Sequence, residues 1–155
     1  FTTYVGGDGM VGNALVQAVG ADVLDGMIAT KPGIPEVPGL DAFEQAMTSL
    51  ALDPKAVFAA QSYDAAFLLA LAIEENGSNS VDGLSAALRK VSSAPGVVIL
   101  PGEWEKAKKA IADGKDINYE GASGNHEFDA NGDVPGLIVE MTVENGVFVE
   151  KGVLK

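Results

Sequence analysis

Gly7-Asp8-Gly9-Met10-Val11-Gly12 follows a short β-prone run and precedes a helical pattern. That is the G-x-G-x-x-G spacing of a dinucleotide loop. In such loops glycines let the backbone approach a pyrophosphate, and the helix N-terminus offers free N–H groups. Asp8 works against this chemistry, because a carboxylate inside the loop repels phosphate. The next strand ends at Thr30-Lys31, with no acid for ribose hydroxyls. The residues themselves leave two readings: a structural turn, or the cofactor loop of a nucleotide-dependent oxidoreductase.

Other chemistry-bearing residues are scattered. Asp129, Asn131 and Asp133, with Glu140 downstream, resemble a calcium loop, but its sixth position is Val134 where the sharp turn needs glycine. A turn held by Asx side chains is expected instead. His126 is the single histidine. Metal sites need several converging ligands, so a solvated loop or strand histidine is expected. Glu36, Asp41 and Glu44 lie in a linker and at a helix start, where capping accounts for them. Glu103, Glu105, Lys106, Lys108 and Lys109 read as a solvated helix face. No G-x-S-x-G elbow occurs, and no nucleophile is spaced with a base and an orienting group, so no enzyme is expected. Trp104, Phe128 and the tyrosines suit core packing, while Tyr63, just after Gln61-Ser62, is a candidate for a ligand-cleft wall.

The elements that position these groups are legible from punctuation and period. Phe1 to Val5 reads as a strand ending at Gly6-Gly7, Met10 to Val19 as a short helix closed by Gly20, and Gly26 to Thr30 as a buried strand. Lys31 to Pro38 is a proline-rich connector. A helix is expected to about Leu50, with Asp41 as N-cap and Glu44 three residues on. Asp53-Pro54 predicts the start of a long helix to Glu75, apolar nearly all round over Ala65–Ile73 and therefore buried on several sides. Ser80 is expected to cap a helix over Val81–Val91. Val97 to Leu100 reads as a strand and Glu103 to Ala112 as a helix. The apolar-rich runs Leu137–Val143 and Val147–Val153 flank Glu144-Asn145-Gly146, a strong hairpin signal. The fold class is therefore α/β with a mixed sheet: strand–helix–strand, a helical block, and a C-terminal antiparallel β-hairpin.

Composition removes several functions. The chain has 155 residues, 47% hydrophobic and 21% charged, with a formal charge of −12. Such acidity opposes nucleic acid and anionic membrane surfaces. With no cysteine there are neither disulfides nor thiolate sites. The longest apolar run is far shorter than the roughly 20 residues that span a bilayer. The chain opens at Phe1 without methionine or a leader, and preceding residues are expected in the natural protein.

The order of motifs resembles the branched-chain amino-acid-binding family of periplasmic proteins, the type I solute-binding proteins of ABC importers. The resemblance is carried by Gly7-Asp8-Gly9 before a helix and Asp25-Gly26-Met27-Ile28 before a strand. Ser62-Tyr63-Asp64-Ala65-Ala66 then opens a long helix, and Tyr119 to Gly124 precedes Phe128 to Asp133. The final hairpin with Asn145-Gly146-Val147-Phe148-Val149 completes the series. It covers essentially the whole chain.

The resemblance implies a partial periplasmic-binding-protein type I fold, the last part of a two-lobe protein about twice this length. Residues 1–31 would end the second lobe, 32–120 would be the last helices of the first lobe, and 121–155 would return to the second as its closing hairpin. Hinges would lie near Thr30–Pro32 and Glu120–Ala122. Asp8 would bind the α-amino group of an amino-acid ligand in an interlobe cleft, Gly7 and Gly9 would allow close backbone approach, and Tyr63 would line the wall. No cofactor is implied. The expected partners are an amino-acid-like small molecule, the membrane permease of an importer, and the missing N-terminal lobe or a second copy. The location would be the periplasm, or the cell surface as a lipoprotein. A ligand-sensing receptor of the same fold, or the oxidoreductase above, is the alternative.

Overall fold

In a computed structural model, residues 3–154 are described, and they form two compact units. One comprises Phe1–Gly33 and Gly136–Lys155, the other Ile34–Pro135.

The first unit holds β1 (Val5–Gly6), α1 (Asn13–Val19), α2 (Ala21–Leu24), β2 (Ile28–Pro32), β6 (Ile138–Glu144) and β7 (Val147–Val153). Strand order is β1-β2-β6-β7: β1 and β2 are parallel, and the other pairs are antiparallel. Alternation along β6 buries Val139, Met141 and Val143 against Val16, Leu24, Met27 and Ala29, while Ile138, Glu140 and Thr142 face away. The expected hairpin is present. Asn145 (φ 52°) and Gly146 (φ 78°) supply the paired positive φ that a type I′ turn demands. The first strand is shorter and later than expected; Phe1 and Thr2 lie outside the described residues. The helix expected from Met10 begins only at Asn13, because Asp8–Met10 forms a 3₁₀ turn.

The second unit holds α3 (Pro38–Ser49), α4 (Ala59–Asn76), α5 (Leu84–Val91), β3 (Val97–Ile99), α6 (Trp104–Ala112), β4 (Ile117–Gly121) and β5 (Gly124–Asn125). β3 pairs parallel with β4, and β5 antiparallel with it. Leu68, Leu71 and Ala72 of α4 meet Ala87 and Val91 of α5, Ala107 and Ala110 of α6, and Ile99, Ile117 and Tyr119 of the sheet. The architecture of each unit is mixed α/β.

Three helix starts differ from expectation. Pro38, with its preset φ, opens α3 after Val37, and Asp41 sits in the first turn near the positive helix end rather than capping it. Asp53 accepts the Lys55 amide (2.9 Å), which makes an Asx turn, and α4 waits until Ala59. Asn76 donates to the carbonyls of Ser78 (3.1 Å) and Asp82 (3.0 Å), shaping the turn so that α5 starts after Gly83 rather than at Ser80. Nor is α4 buried all round: Ala65, Ala66 and Leu69 are exposed along one stripe.

The second unit runs to Pro135, and residues 121–129 are bonded to its α4 and α5. Both segments expected as hinges carry hydrogen bonds within their own units. Thr30–Pro32 is laddered to Ile138–Glu140, and the Ala122 amide is bound by Asp64.

Candidate functional site

β1 ends at Gly6, where a Cβ would meet Met27 Cε at 2.7 Å and Met10 Sδ at 2.8 Å, so a larger residue would push both methionine ends aside. The chain then turns. Met10 N–H donates to the Gly7 carbonyl (3.0 Å) and Val11 N–H to that of Asp8 (2.9 Å). The Asp8 carboxylate accepts its neighbour's amide, Gly9 N–H, at 2.7 Å through Oδ1. Asp8 is exposed, and within the described residues no lysine or arginine pairs with it. A Cβ on Gly7, Gly9 or Gly12 would meet nothing within 4 Å, so this stretch of backbone is open on its outer side. The loop lies beyond the carboxyl end of a parallel strand, where open α/β sheets bind ligands. An exposed, unpaired carboxylate in that position suits a cationic group such as an ammonium.

The dinucleotide reading fares worse. Its third glycine should allow close helix–strand packing, yet Gly12 faces open space, and α1 has seven residues. Asp8 also puts an exposed carboxylate inside the loop, which would repel a pyrophosphate.

Gly7, Asp8 and Gly9 share one loop of the first unit; Tyr63 belongs to the second. Its ring stacks on Phe67 (centroids 5.7 Å, 13°) and tilts against Phe43 (5.3 Å). Burial holds its phenol above the usual range, while a backbone hydrogen bond from Gly102 opposes the shift. Tyr63 is thus a half-buried member of an aromatic row that continues to Trp104 and Tyr119.

The best-formed polar constellation was not singled out from sequence. Asp64, fully buried on α4, accepts the Tyr119 hydroxyl (2.6 Å) and the Ala122 amide (2.9 Å) on Oδ1. Its Oδ2 accepts the Ser123 amide and hydroxyl, both at 2.6 Å. His126 Nε2 lies 3.5 Å from Oδ2 and 3.4 Å from Ser123 Oγ. His126 is therefore not the solvated residue expected; it closes this knot against the Tyr119 ring. Burial first, and then the hydrogen bond to Asp64, push the Tyr119 phenol far above its ordinary value.

Serine, histidine and aspartate together invite a hydrolytic reading, which the geometry denies. Ser123 Oγ donates directly to the carboxylate, and His126 Nδ1 is buried with no hydrogen-bond partner among the described residues, so no acid orients the imidazole from its far side. The one available signal was an acid, Asp64, at the head of an apolar helical run, since a buried carboxylate requires converging donors.

The Asp129 loop behaves as an Asx turn. Its carboxylate accepts Asn131 N–H (2.8 Å) and Asp133 N–H (2.9 Å), and backbone bonds led by Asp133 hold its pKa below the usual carboxylate value. Arg89 anchors that turn through the Phe128 and Asp129 carbonyls. Among the described residues no three His, Cys, Asp or Glu side chains converge as metal ligands, and no helix is long and apolar enough to cross a membrane.

A family model described as the receptor family ligand binding region matches residues 3–143. The chain is 30% identical over 95 residues to the chemotactic signal transduction system substrate-binding protein BasB of Halobacterium salinarum, covering 61% of this chain and 23% of that protein. The structure resembles the leucine binding protein LivK of Thermotoga maritima with a TM-score of 0.67 and 25% identity, covering 99% of this chain and 38% of that one. It also resembles the branched-chain amino acid transporter substrate binding protein LivJ of Streptococcus pneumoniae, solved with isoleucine. There the TM-score is 0.58 and the identity 22%, over 95% of this chain and 37% of that one. This chain thus spans well under half the length of these relatives.

Proposed function

Because the chain belongs to the receptor family ligand binding region, we propose that it is part of an extracytoplasmic solute-binding protein that takes up an amino acid of the branched-chain type. The observation carrying this reading is Asp8: an exposed, unpaired carboxylate in a glycine loop beyond the carboxyl end of a parallel strand. Asp8 pairs with the ligand ammonium through a charge-assisted hydrogen bond, and Gly7 and Gly9 keep the neighbouring backbone accessible. The ligand carboxylate is met by groups outside this chain.

In this reading residues 34–135 are the last part of one lobe, and the remaining residues are the end of the other. The exposed stripe of Ala65, Ala66 and Leu69 supports further chain, or a second copy, lying on α4. An importer permease is the membrane partner. The chemotactic relative favours one alternative, a sensor that hands its loaded state to a signal transducer. Co-purification from the native membrane separates the two.

Calorimetric titration of the natural protein with leucine, isoleucine and valine tests the site. Asp8→Ala is expected to weaken binding at least about thirtyfold, the loss when one partner of a charge pair is removed. Unchanged affinity in that variant removes Asp8 from the site; absence of binding by the parent protein to any amino acid removes the ligand class.

A further inference from the structure

The sequence holds three Asn-Gly pairs, Asn76-Gly77, Asn131-Gly132 and Asn145-Gly146. Each could undergo the same self-reaction. The glycine amide nitrogen attacks the asparagine side-chain carbonyl carbon, a new N–Cγ bond forms, and the Cγ–Nδ2 bond breaks. The displaced nitrogen leaves as ammonia, carrying the glycine's amide proton. Water then opens the five-membered imide at either carbonyl, which gives aspartate or its β-linked isomer. The step needs a glycine N–H free to lose its proton and an asparagine amide free to turn toward it. Glycine suits the attacking position because no Cβ crowds the ring.

The structure distinguishes the three. Gly77 N–H is committed to the Glu74 carbonyl (3.2 Å), and the Asn76 amide is tied to two carbonyls at 3.1 and 3.0 Å. Gly132 N–H is committed to the Asp129 carbonyl (3.1 Å), and the Asn131 amide to the Asp129 carboxylate (3.3 Å). At the hairpin tip neither restraint holds. Asn145 is exposed, its side chain has no hydrogen-bond partner among the described residues, and neither has the Gly146 amide.

We propose that Asn145-Gly146 is a self-modification site of this protein, an amide-to-acid switch at the tip of the β6–β7 hairpin. Its consequence follows from the turn. The β-linked product adds a backbone methylene where two residues of positive φ close a two-residue loop. That spacing holds Val143 opposite Phe148 and Glu144 opposite Val147. Gly146 has little room to move, since even a Cβ there would meet the Ala21 methyl at 3.1 Å. Conversion therefore loosens the hairpin at this end, beside Val16 and Ala21.

The test is incubation of the intact protein at mildly alkaline pH, followed by peptide mapping that scores the mass gain of amide-to-acid conversion at each asparagine. Asn145 is expected to convert several-fold faster than Asn76 and Asn131 in the folded chain. In short peptides carrying the same three pairs, that preference should collapse, because the hydrogen bonds that protect the other two are gone. Equal rates at the three sites in the folded protein overturn the proposal, as does faster conversion at either of the other two. So does a folded-state preference that merely repeats that of the peptides.

Discussion

Asp64 has no exposed surface, and its two oxygens are filled by four protein donors. Asp64→Ala strands the Tyr119 hydroxyl, two amides and the Ser123 hydroxyl in the interior. Each stranded group costs about 1–3 kcal/mol, so a loss of roughly 3–5 kcal/mol is expected in urea denaturation, after partial relaxation. Tyr119→Phe should cost less, about 1 kcal/mol, since the carboxylate keeps three donors. It should also change the alkaline limb of stability. The folded chain holds the Tyr119 proton more tightly than the unfolded chain does. Its contribution is complete below the unfolded tyrosine value of about 10 and declines as pH rises beyond it. The expected observation is that the parent protein loses stability above that pH more steeply than Tyr119→Phe. Parallel profiles refute the assignment. At this scale the sequence was half legible. The glycine loop marks Asp8 as a candidate, but the Asp64 knot joins residues 55 to 59 positions apart, and no local pattern carries such a separation.

At the level of elements, period and punctuation worked where packing agreed with them. The I′ turn at Asn145-Gly146 and the α4 stop at Gly77 (φ 64°) lie where the residues demand them. They failed at helix starts, where several residues competed to begin a helix: Asp41 lost to Pro38, Asp53 to its own Asx turn, and Ser80 to the Asn76 bridge. The near-continuous apolar run of α4 also misled, because sequence cannot say how many neighbours a helix has. One close approach was equally invisible. Gly39, in the first turn of α3, packs directly on the carbonyls of Glu120 and Gly121. Gly39→Ala therefore overpacks a backbone contact that cannot yield. A loss of about 1–3 kcal/mol is expected in thermal or urea denaturation, although alanine is the better helix former. A gain in stability would show that α3 can shift away from β4.

For the whole molecule, the charge of −12 is a self-repulsion that salt screens. Raising sodium chloride from about 0.1 M, where screening reaches ~10 Å, to about 1 M, where it shortens to ~3 Å, should stabilise the chain. An increase in Tm of about 2–4 °C per kcal/mol of relieved repulsion is the scale to look for. A Tm unmoved by salt would mean that the acids are already neutralised by their neighbours. Composition read the molecule correctly as acidic and globular. The proline-rich stretch Lys31–Pro38, read as a connector, contains the point between Gly33 and Ile34 where the two units divide. The stretch after Tyr119 carries no such sign in its composition, yet it is bonded into the Asp64 knot and to Arg89.

The amide of Gly33 donates to the Leu137 carbonyl at 2.8 Å, prolonging the β2–β6 ladder to the point where the chain departs and to the point where it comes back. Residues 34–135 are therefore an insertion whose two stumps stand side by side on one scaffold. Excising them and splicing the stumps with a tight two-residue turn would leave every strand of the remaining sheet in register. The same geometry would let a lineage exchange one such cassette for another without disturbing its host.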